Sequence, residues 1–580
     1  MSSRGAALLT LAGIVLAAVT LWGALGQEIE VPTVFGDELI HWDASRSLAA
    51  GDGLRVRDGG YGFGPVYPAL LAPVHVLTTD DLSAYQWARF WNALLFALAA
   101  VPAYLLARRL LPPGWSLSCA ALTVLVPSAV YTGFVMTEGA AYTACLVALL
   151  ALARCLERPA VGAQLLALAS LLVAAGMRLQ LAALGVALLA ALVLRWVVTH
   201  GSRWPSRGDV VRLWPLLVVL GGGAVALAVR AALGNPLAGY ADLWRSYDVL
   251  QVGRWTWRAF AGLGLYLAVV PLVVAPAALA ALTRDGRHGS RRGAAFVSLF
   301  VSVNVVLLLV VGAFSSTEFG VGFLHDRYLF YVVPLWLIAT AVWAQRRLPI
   351  GPVGLLVGAL LVLVPLATLP TYLLNADGGR RFDAIAAGLP SQIAVRGGLQ
   401  EPRRWWLLAA GVIAVALVVS VARLPRWIVL VPVAVVFASN AGFAWHARVE
   451  AGRNVTFAPM DAETTSWVDR AVPDGSEVAT LTRDVPVDTR DALRLTEFFN
   501  GSIGPVYTLA GRYAPTLASG AVRLGAGGVV TSDTGDVRAT WVVAPRDLEL
   551  DGELVAQGTN AGLRLWHVPG RLRVVETSRP

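Results

Sequence analysis

Long apolar runs separated by short polar connections dominate this sequence as far as Trp445. A helix needs about 20 apolar residues to cross a bilayer, and about thirteen runs approach this length. These runs cover residues 6–25, 88–111, 116–135, 139–156, 161–177, 179–198, 213–233, 259–282, 294–314, 328–344, 350–374, 405–421 and 427–445. The pattern predicts a polytopic α-helical membrane protein. The first run is interpreted as a retained span, because it is long for a signal peptide and no small-x-small cleavage site precedes Gln27.

Arginine occurs mainly in short connections on one side of the predicted spans. Arg4 precedes the first span, and clusters follow the second, fourth, sixth, eighth, tenth and twelfth spans. Parity places all of these on one face, which the positive-inside rule assigns to the cytoplasm. The connection 375–404 is also rich in arginine, but parity places it on the outer face of the membrane. We therefore expect those arginines to have a role on that face. The prediction is a multi-pass protein of the inner (plasma) membrane with a cytoplasmic N-terminus.

The predicted outer face has the longest polar segments. The first outer loop, 26–87, includes an apolar stretch too short to span, which indicates an interfacial segment. Hydropathy falls after Trp445, and the strand-like runs GSEVATLT, ATWVVAP and LRLWHV then alternate with turn residues, with a helical pattern in TRDALRLTEFFNG. We therefore predict a membrane domain over 1–447 and a soluble extracytoplasmic α/β or α+β domain over 448–580.

Composition agrees with this topology. The chain is 57% hydrophobic and 14% charged, against about 25% charged residues in soluble domains. The formal net charge of +9 involves no Lys, and arginine in short connections indicates membrane topology rather than a nucleic-acid partner. Cys119, Cys145 and Cys155 lie in or beside apolar segments, so they indicate neither a disulfide framework nor a zinc site.

The stretch FGDELIHWDASRS places four ionisable side chains just beyond the first span. They are Asp37, Glu38, His41 and Asp43. One interpretation is structural, since carboxylates in the first turn of a helix favour its dipole by about 0.3–1 kcal/mol. The other is catalytic. In a helix, Asp37 and His41 share one face, and a partly dehydrated carboxylate can acquire the raised pKa that a general base requires.

Glu138 lies in the motif MTEGAAY, within the very short second outer connection. It is either a solvated turn residue, with Thr137 capping the next helix, or a functional carboxylate. A Glu between two apolar helices is costly unless it is near water or paired. The sequence leaves both interpretations open.

A third polar group precedes the tenth predicted span. It consists of Glu318, His325, Asp326, Arg327 and Tyr328. Asp326 and Arg327 could form a surface ion pair of little energetic weight. Alternatively, Arg327 holds an anionic headgroup, because guanidinium binds phosphate oxygens in a two-pronged geometry.

Arg178 and Arg89, at the outer ends of other spans, are weaker candidates for an anion contact, and snorkelling explains each equally well. His325, Asp326 and Glu318 could hold a metal ion, although their spacing matches no strong ligand pattern. A divalent metal is the only cofactor that the sequence leaves open.

Five motifs in order carry a resemblance to a known family. They are GDELIHWDASRSLAAGDG, GPVYPALLAPVHVL, ARFWNALLFALAAVPAYLLARRL, MTEGAAY and HDRYLFYVVPLWLI. In these motifs the sequence resembles the GT-C superfamily of membrane glycosyltransferases. More narrowly, it resembles the polyprenyl-phosphate-sugar-dependent enzymes related to protein O-mannosyltransferases and lipid A aminoarabinose transferases. The family has an acidic pair in the first outer loop, a Pro-Tyr-Pro-like stretch (here at Tyr67), an acidic residue in the second outer loop and an Arg-Tyr before a late span. The terminal domain lies outside this core and resembles an actinobacterial elaboration.

The resemblance implies a reaction. The donor would be a sugar on a polyprenyl phosphate, and the acceptor a hydroxyl of an envelope glycan, glycolipid or protein, with inversion at the anomeric carbon. Asp37 would be the general base, with Glu38 as the open alternative, and Arg327 would steady the leaving phosphate. The substrate- and phosphate-binding candidates are Arg327, Tyr328, His325, Asp326, Glu138, His41, Arg89, Arg178 and Tyr67.

Two other classes of protein compete with this interpretation. A transporter or flippase for an envelope lipid or polysaccharide would have broken spans, mid-membrane polar residues and inverted repeats. Here the ionisable residues gather on one outer face, which favours a surface reaction on a lipid substrate. An assembly scaffold acting through the terminal domain is the third class. The sequence identifies neither the sugar nor the acceptor.

Overall fold

The computed structural model describes most of the chain as helix. The described residues are 3–29, 32, 36–57, 59–201, 203, 205–232, 248–317, 324–370, 373, 385, 411–412, 416, 426–453, 462–483, 487–509, 520–558 and 562–576. Most of the predicted twelfth span and nearly all of the connection 375–404 lie outside this part, as does Glu318. By their contacts, the residues form two compact units.

Sixteen helices precede residue 370 within the described part of the chain. They are α1 (Ser3–Gln27), α2 (Gly36–Ala50), α3 (Val66–Leu77), α4 (Asp81–Ala97), α5 (Ala100–Ala107), α6 (Pro113–Val124), α7 (Glu138–Glu157), α8 (Val161–Met177), α9 (Ala183–His200), α10 (Arg207–Val211), α11 (Trp214–Ala232), α12 (Val249–Tyr266), α13 (Val270–Arg287), α14 (Arg291–Ser315), α15 (Val333–Gln345) and α16 (Pro352–Thr368). Three more are α17 (Leu430–Arg453), α18 (Ala462–Thr465) and α19 (Val487–Phe499).

Six helical segments of the described chain are long and apolar enough to cross a membrane, or up to eight if two bent pairs each count as one span. Four further apolar helices that match predicted spans are shorter than 18 residues: α8, the first part of α11, the helical segment Phe330–Gln345, and α16. The multi-pass helical architecture is therefore confirmed, while the count of thirteen spans stays a prediction.

Two of the predicted spans are bent. The eighth consists of α12 and α13, which meet at 101°. At the break, Ala268 and Val269 have φ angles of 54° and 65°, in the left-handed region that residues with a Cβ rarely adopt. Pro271 follows in the first turn of α13, where its missing N–H costs nothing and its fixed φ suits a helix start. The third span bends by 52° between α6 and the 3₁₀ helix Pro127–Gly133.

The first unit comprises Met1–Leu21, Ala93–Val130 and Thr137–Ala447. Its main helix contacts are α9 and α12 on α14, α7 on α8, and α15 and α16 on α13. Small residues allow close approach, as is usual between membrane helices. A Cβ placed on Gly358 of α16 would lie 2.7 Å from the carbonyl oxygen of Val273 in α13. The α13–α16 contact thus depends on a glycine at position 358.

The second unit comprises Trp22–Asn92, Tyr131–Met136 and Arg448–Pro580. Its largest sheet has six strands in the order β11-β12-β9-β3-β4-β5. The strands are β3 (Val478–Thr482), β4 (Ile503–Thr508), β5 (Gly520–Ala521), β9 (Trp541–Pro545), β11 (Glu553–Gln557) and β12 (Leu563–His567). β3 pairs in parallel with both β4 and β9, whereas β12 runs antiparallel to β9 and β11.

The helix α19 makes the crossover that joins the parallel strands β3 and β4. The remaining strands of the unit form small antiparallel ladders. They are β1 (Arg55–Val56), β2 (Gly59–Gly60), β6 (Arg523–Leu524), β7 (Val530–Ser532), β8 (Gly535–Asp536), β10 (Glu549–Leu550) and β13 (Val574–Glu576). The four segments predicted as strands or helix after Trp445 are confirmed as β3, β9, β12 and α19. Apolar residues of the three strands, such as Leu481, Val542 and Trp566, pack in one buried core.

We expect Gly358→Ala to destabilise the membrane domain by about 1–3 kcal/mol, because the added methyl group would overlap the Val273 backbone. Gly354→Ala in the same helix is the matched control, since its Cβ would meet only the side chain of Ile350 at 3.4 Å. The measurement is the thermal unfolding midpoint of each purified variant in detergent. Equal midpoints for the two variants would contradict the close packing of α13 and α16.

Candidate functional site

The acidic pair lies in the first turn of α2, as the helical interpretation predicts. The two carboxylates differ in environment. Glu38 is fully buried, and its Oε1 accepts a hydrogen bond from the backbone N–H of Val135 at 3.0 Å. Asp37 is partly exposed and has no side-chain hydrogen bond or ion pair within the described part of the chain. Glu38 is therefore tied into the structure, while Asp37 is accessible.

Two buried arginines lie near Glu38 in the second unit. Arg89 donates to the carbonyl oxygens of Gly26, at 2.6 Å, and Ile29, and its guanidinium lies 4.4 Å from the ring centre of Tyr85. Its side chain stabilises the end of the first span. Arg89 is only 3% exposed, so the snorkelling interpretation is wrong for this residue.

Arg448 is the second buried arginine and is fully enclosed. It donates to the hydroxyl of Tyr85 at 3.1 Å and to the carbonyl of Gly133 at 3.2 Å. Its guanidinium also lies 4.6 Å from the ring centre of Phe134. Glu38 acts electrostatically on both Tyr85 and Arg89. The Glu38 carboxyl group and the two buried arginines thus belong to one electrostatic cluster of the second unit.

His41 of α2 and Tyr67 of α3 contact each other edge to face, with ring centres 5.3 Å apart. The Nδ1 of His41 is 2.9 Å from the hydroxyl of Tyr61. The hydroxyl of Tyr67, which is fully buried, donates to Asn92 Oδ1 at 3.1 Å. Asn92 in turn donates to the Phe134 carbonyl at 2.8 Å. These contacts hold both candidates in fixed positions.

The helix α2 also packs on α19. The indole of Trp42 donates to the Phe498 carbonyl at 2.8 Å and stacks on the Phe498 ring at 4.5 Å. Arg57, just after α2, forms a two-pronged ion pair with Glu497, in which Nη2 and Oε2 are 2.8 Å apart. Both side chains of this ion pair are at most 4% exposed. The helix of the acidic pair is therefore positioned by residues from the C-terminal part of the chain.

Asp43 lies on α2 close to this ion pair. Burial and the nearby Glu497 carboxylate raise the pKa of Asp43 to about 7, although Arg46 and Arg57 act in the opposite direction. Asp81 adds a smaller raising effect. The Oδ1 of Asp43 is 3.8 Å from Arg46 Nη1. Asp43 thus carries a proton in the folded protein at pH values where a free aspartate would be ionised.

A separate polar group lies in the first unit around Glu138. Its Oε1 is 2.6 Å from Arg178 Nη1 and 4.0 Å from Arg327 Nη1. Arg327 donates to the hydroxyl of Tyr328 at 2.7 Å, and both guanidiniums lie 4.8 Å from the Tyr328 ring centre. Arg178 also donates to Thr137 Oγ1 at 3.0 Å. One buried carboxylate thus faces two arginines.

This geometry decides two of the open alternatives. Glu138 is 1% exposed, so the solvated-turn interpretation is wrong. Thr137 makes no capping hydrogen bond, because its hydroxyl contacts Arg178 instead. Arg178 is an ion-paired residue and not a snorkelling one. These three residues therefore form one paired group at the start of α7.

His325 and Asp326 are both buried. The His325 ring packs on Phe314 and Tyr328, with ring centres 5.3 and 5.4 Å away. The described residues contain no group of three or more His, Cys, Asp or Glu side chains that could hold a metal ion. Glu318, the third residue of the suggested metal group, lies outside the described residues, so the metal stays an untested expectation.

Sequence reasoning did not identify Arg448, Arg57 or Glu497. Arg448 had a usable signal, because an arginine shortly after the last apolar run is costly to bury unless it is paired. No such signal marks Arg57 or Glu497, because these two partners of one ion pair are 440 positions apart in the chain. Only the folded chain shows that these residues support α2.

Comparisons with known proteins show the fold. No protein-family model and no curated protein matches the chain. The crystal structure of ArnT from Cupriavidus metallidurans, bound to undecaprenyl phosphate, matches with a TM-score of 0.50 and 16% identity over 100% of both chains. The chain therefore shares the fold of that structure, and the helical part of the predicted fold class is confirmed at that level.

Two structures of the oligosaccharyltransferase of Archaeoglobus fulgidus are also similar. The apo form matches with a TM-score of 0.45 and 12% identity over 85% of this chain and 64% of that chain. The complex with an inhibitory peptide and a dolichol-phosphate matches with a TM-score of 0.46 and 11% identity over 92% of this chain and 69% of that chain.

We expect the contribution of Asp43 to the stability of the protein to fall as the pH rises from about 4 to about 7. The folded state keeps the proton on Asp43 up to about pH 7, whereas the unfolded chain loses it near the ordinary value of 3.8. Raising the pH therefore favours unfolding. Asp43→Asn should show a smaller fall in thermal midpoint between pH 5 and pH 8 than the wild type. Asp52→Asn, at an exposed position just after α2, should keep the wild-type dependence, and an unchanged pH profile in Asp43→Asn would contradict the assignment.

Proposed function

We propose that this protein is an integral membrane glycosyltransferase that moves a sugar from a polyprenyl-phosphate donor to an extracytoplasmic envelope acceptor. Two observations support the proposal. The chain shares its fold over its whole length with ArnT, which was crystallised with undecaprenyl phosphate. The observation that carries it is the acidic pair at the start of α2, in which one carboxylate is held by a backbone N–H and the other is accessible.

In the proposed reaction, Asp37 accepts the proton of the acceptor hydroxyl. The hydroxyl oxygen attacks the anomeric carbon, and a new glycosidic bond forms with inversion. The bond between the anomeric carbon and the phosphate oxygen breaks, and its electron pair leaves on the lipid phosphate. A phosphate leaving group needs little protonation when a cation steadies its charge, so one carboxylate is enough. The buried Glu38, which already accepts a hydrogen bond, would orient α2 and its neighbours.

We assign the phosphate contact to the arginines near Glu138. Arg178 is the closer of the two to Glu138, at 2.6 Å against 4.0 Å for Arg327. Arg178 is therefore the direct ion-pair partner of Glu138. The side chain of Arg327 is 18% exposed. We propose Arg327 as the group that binds the donor phosphate, with Tyr328 orienting its guanidinium.

Replacing Asp37 by Asn should lower kcat by about 10²–10⁴, because removing a general base costs that much. Glu38→Gln should lose less, since the amide oxygen of Gln can still accept from Val135 N–H. The measurement is transfer of radiolabelled sugar from synthetic polyprenyl-phosphate donors of arabinose, mannose, glucose and galactose to envelope extracts. Thermal midpoints of both variants serve as the folding control.

The two variants also separate the two candidate bases. An inactive Glu38→Gln with an active Asp37→Asn would move the base to Glu38. Near-normal sugar transfer by both variants would contradict the assignment of the general base to the acidic pair. A wild-type protein that transfers none of the four sugars but moves a labelled lipid across a vesicle membrane would instead support the transporter alternative.

Arg327→Lys should raise KM for the lipid donor and lower kcat/KM by roughly tenfold or more, because lysine keeps the charge but loses the two-pronged geometry. Arg254→Lys is the matched control, since Arg254 is an exposed arginine of α12. Donor saturation curves for both variants are the measurement. Equal KM values for the wild type and Arg327→Lys would remove Arg327 from the phosphate contact.

A further inference from the structure

A cavity of about 600 Å³ lies in the first unit, away from Glu138 and its arginines. Five arginines and one carboxylate are among the residues that line it. They are Arg109, Arg154, Arg158, Arg291, Arg292 and Glu157. They come from the end of α7, the start of α14 and the connection after α5. The side chains of three separated segments thus converge on one space.

The single carboxylate is already neutralised. Glu157 is buried and forms a two-pronged ion pair with Arg109, in which Arg109 Nε lies 2.6 Å from Glu157 Oε1. The other four arginines form no ion pair among the described residues. The guanidinium of Arg292 lies 3.5 Å from the Arg109 carbonyl, which brings it toward the pair. The cavity therefore has about four uncompensated positive charges.

Two helix starts add to this potential. Ala160 and Ala163, at the start of α8, line the cavity, as do Ser290 and Arg291 at the start of α14. The N-terminus of a helix carries a partial positive charge and unsatisfied backbone N–H groups. Both helices are long, with 17 and 25 residues. The helix dipoles and the guanidinium groups thus favour the same sign of ligand.

We propose that this cavity binds a phosphate-bearing anion with more than one negative charge. Guanidinium groups bind phosphate oxygens in a two-pronged geometry, and basic pockets between membrane helices suit anionic lipid headgroups. The positive-inside rule explains why arginine is common in these connections, but it does not require the side chains to share one cavity. The ligand is the phosphate group of an anionic lipid or of a soluble polyphosphate.

The helix ends on either side of the α13–α14 connection offer a matched test. Arg284 and Arg287 lie in the last turn of α13, outside the cavity lining, and Arg291 and Arg292 lie in the first turn of α14, within the lining. The double variants Arg291→Ala/Arg292→Ala and Arg284→Ala/Arg287→Ala therefore remove the same charge on the two sides of one connection. Only the first pair changes the cavity. A general surface-charge effect would be equal in the two variants.

The experiment uses full-length protein in nanodiscs of phosphatidylcholine. Binding of cardiolipin, added by exchange, and of inorganic tripolyphosphate is measured by native mass spectrometry and by the shift in thermal midpoint. We expect the wild type and Arg284→Ala/Arg287→Ala to bind one of the two probes, and Arg291→Ala/Arg292→Ala to bind it at least about tenfold more weakly. Cardiolipin binding identifies a lipid source, and tripolyphosphate binding a soluble one.

Two results would overturn the proposal: no binding of either probe to the wild type, or equal weakening in both double variants. The variant Arg291→Lys/Arg292→Lys keeps the charge and serves as the control for misfolding. It should bind the probe with an intermediate affinity. The readout is binding alone, so the result is independent of whether the protein transfers sugar.

Discussion

Pairing of buried carboxylates is the constraint on which this structure depends. Glutamates are buried in both units, and a charge in a dry interior is costly unless hydrogen bonds and an opposite charge compensate it. Glu38 accepts a backbone N–H, while Glu138, Glu157 and Glu497 each meet an arginine. Removing one partner would leave an uncompensated charge, so each pair fixes the elements that carry it. The candidate site and the basic cavity both inherit their geometry from such pairs.

The α2 helix shows how this constraint reaches function. The carboxylates in its first turn can act on a substrate only if the helix is held in one orientation. The Arg57–Glu497 ion pair and the stacking of Trp42 on Phe498 supply that orientation from α19. The helix α19 is in turn supported by the sheet whose strands β3 and β4 it connects. The C-terminal part of the chain is thus a structural partner of the first loop, and this role does not depend on whether it also binds a glycan.

The described residues support a division of labour among arginines. Arg89 and Arg448 are buried and serve the fold by binding carbonyl and hydroxyl oxygens. Arg327 lies 4.0 Å from Glu138 and is 18% exposed, which suits a ligand contact. Arg291 and Arg292 begin a helix and line a cavity without an ion pair in the described part. The same side chain therefore acts as a structural donor or as an anion contact, according to its burial and its partners.

The sequence alone determined the helical membrane class, the helix that begins with the acidic pair, and the strands after Trp445, because apolar length and periodicity are local signals. Only the tertiary structure decided that Glu38 is tied while Asp37 is accessible, and that Glu138 is paired rather than solvated. It also showed the break between α12 and α13, inside what reads as one continuous apolar run. Hydropathy cannot show these features, since a partner 440 positions away or a left-handed residue at a bend leaves the apolar pattern unchanged.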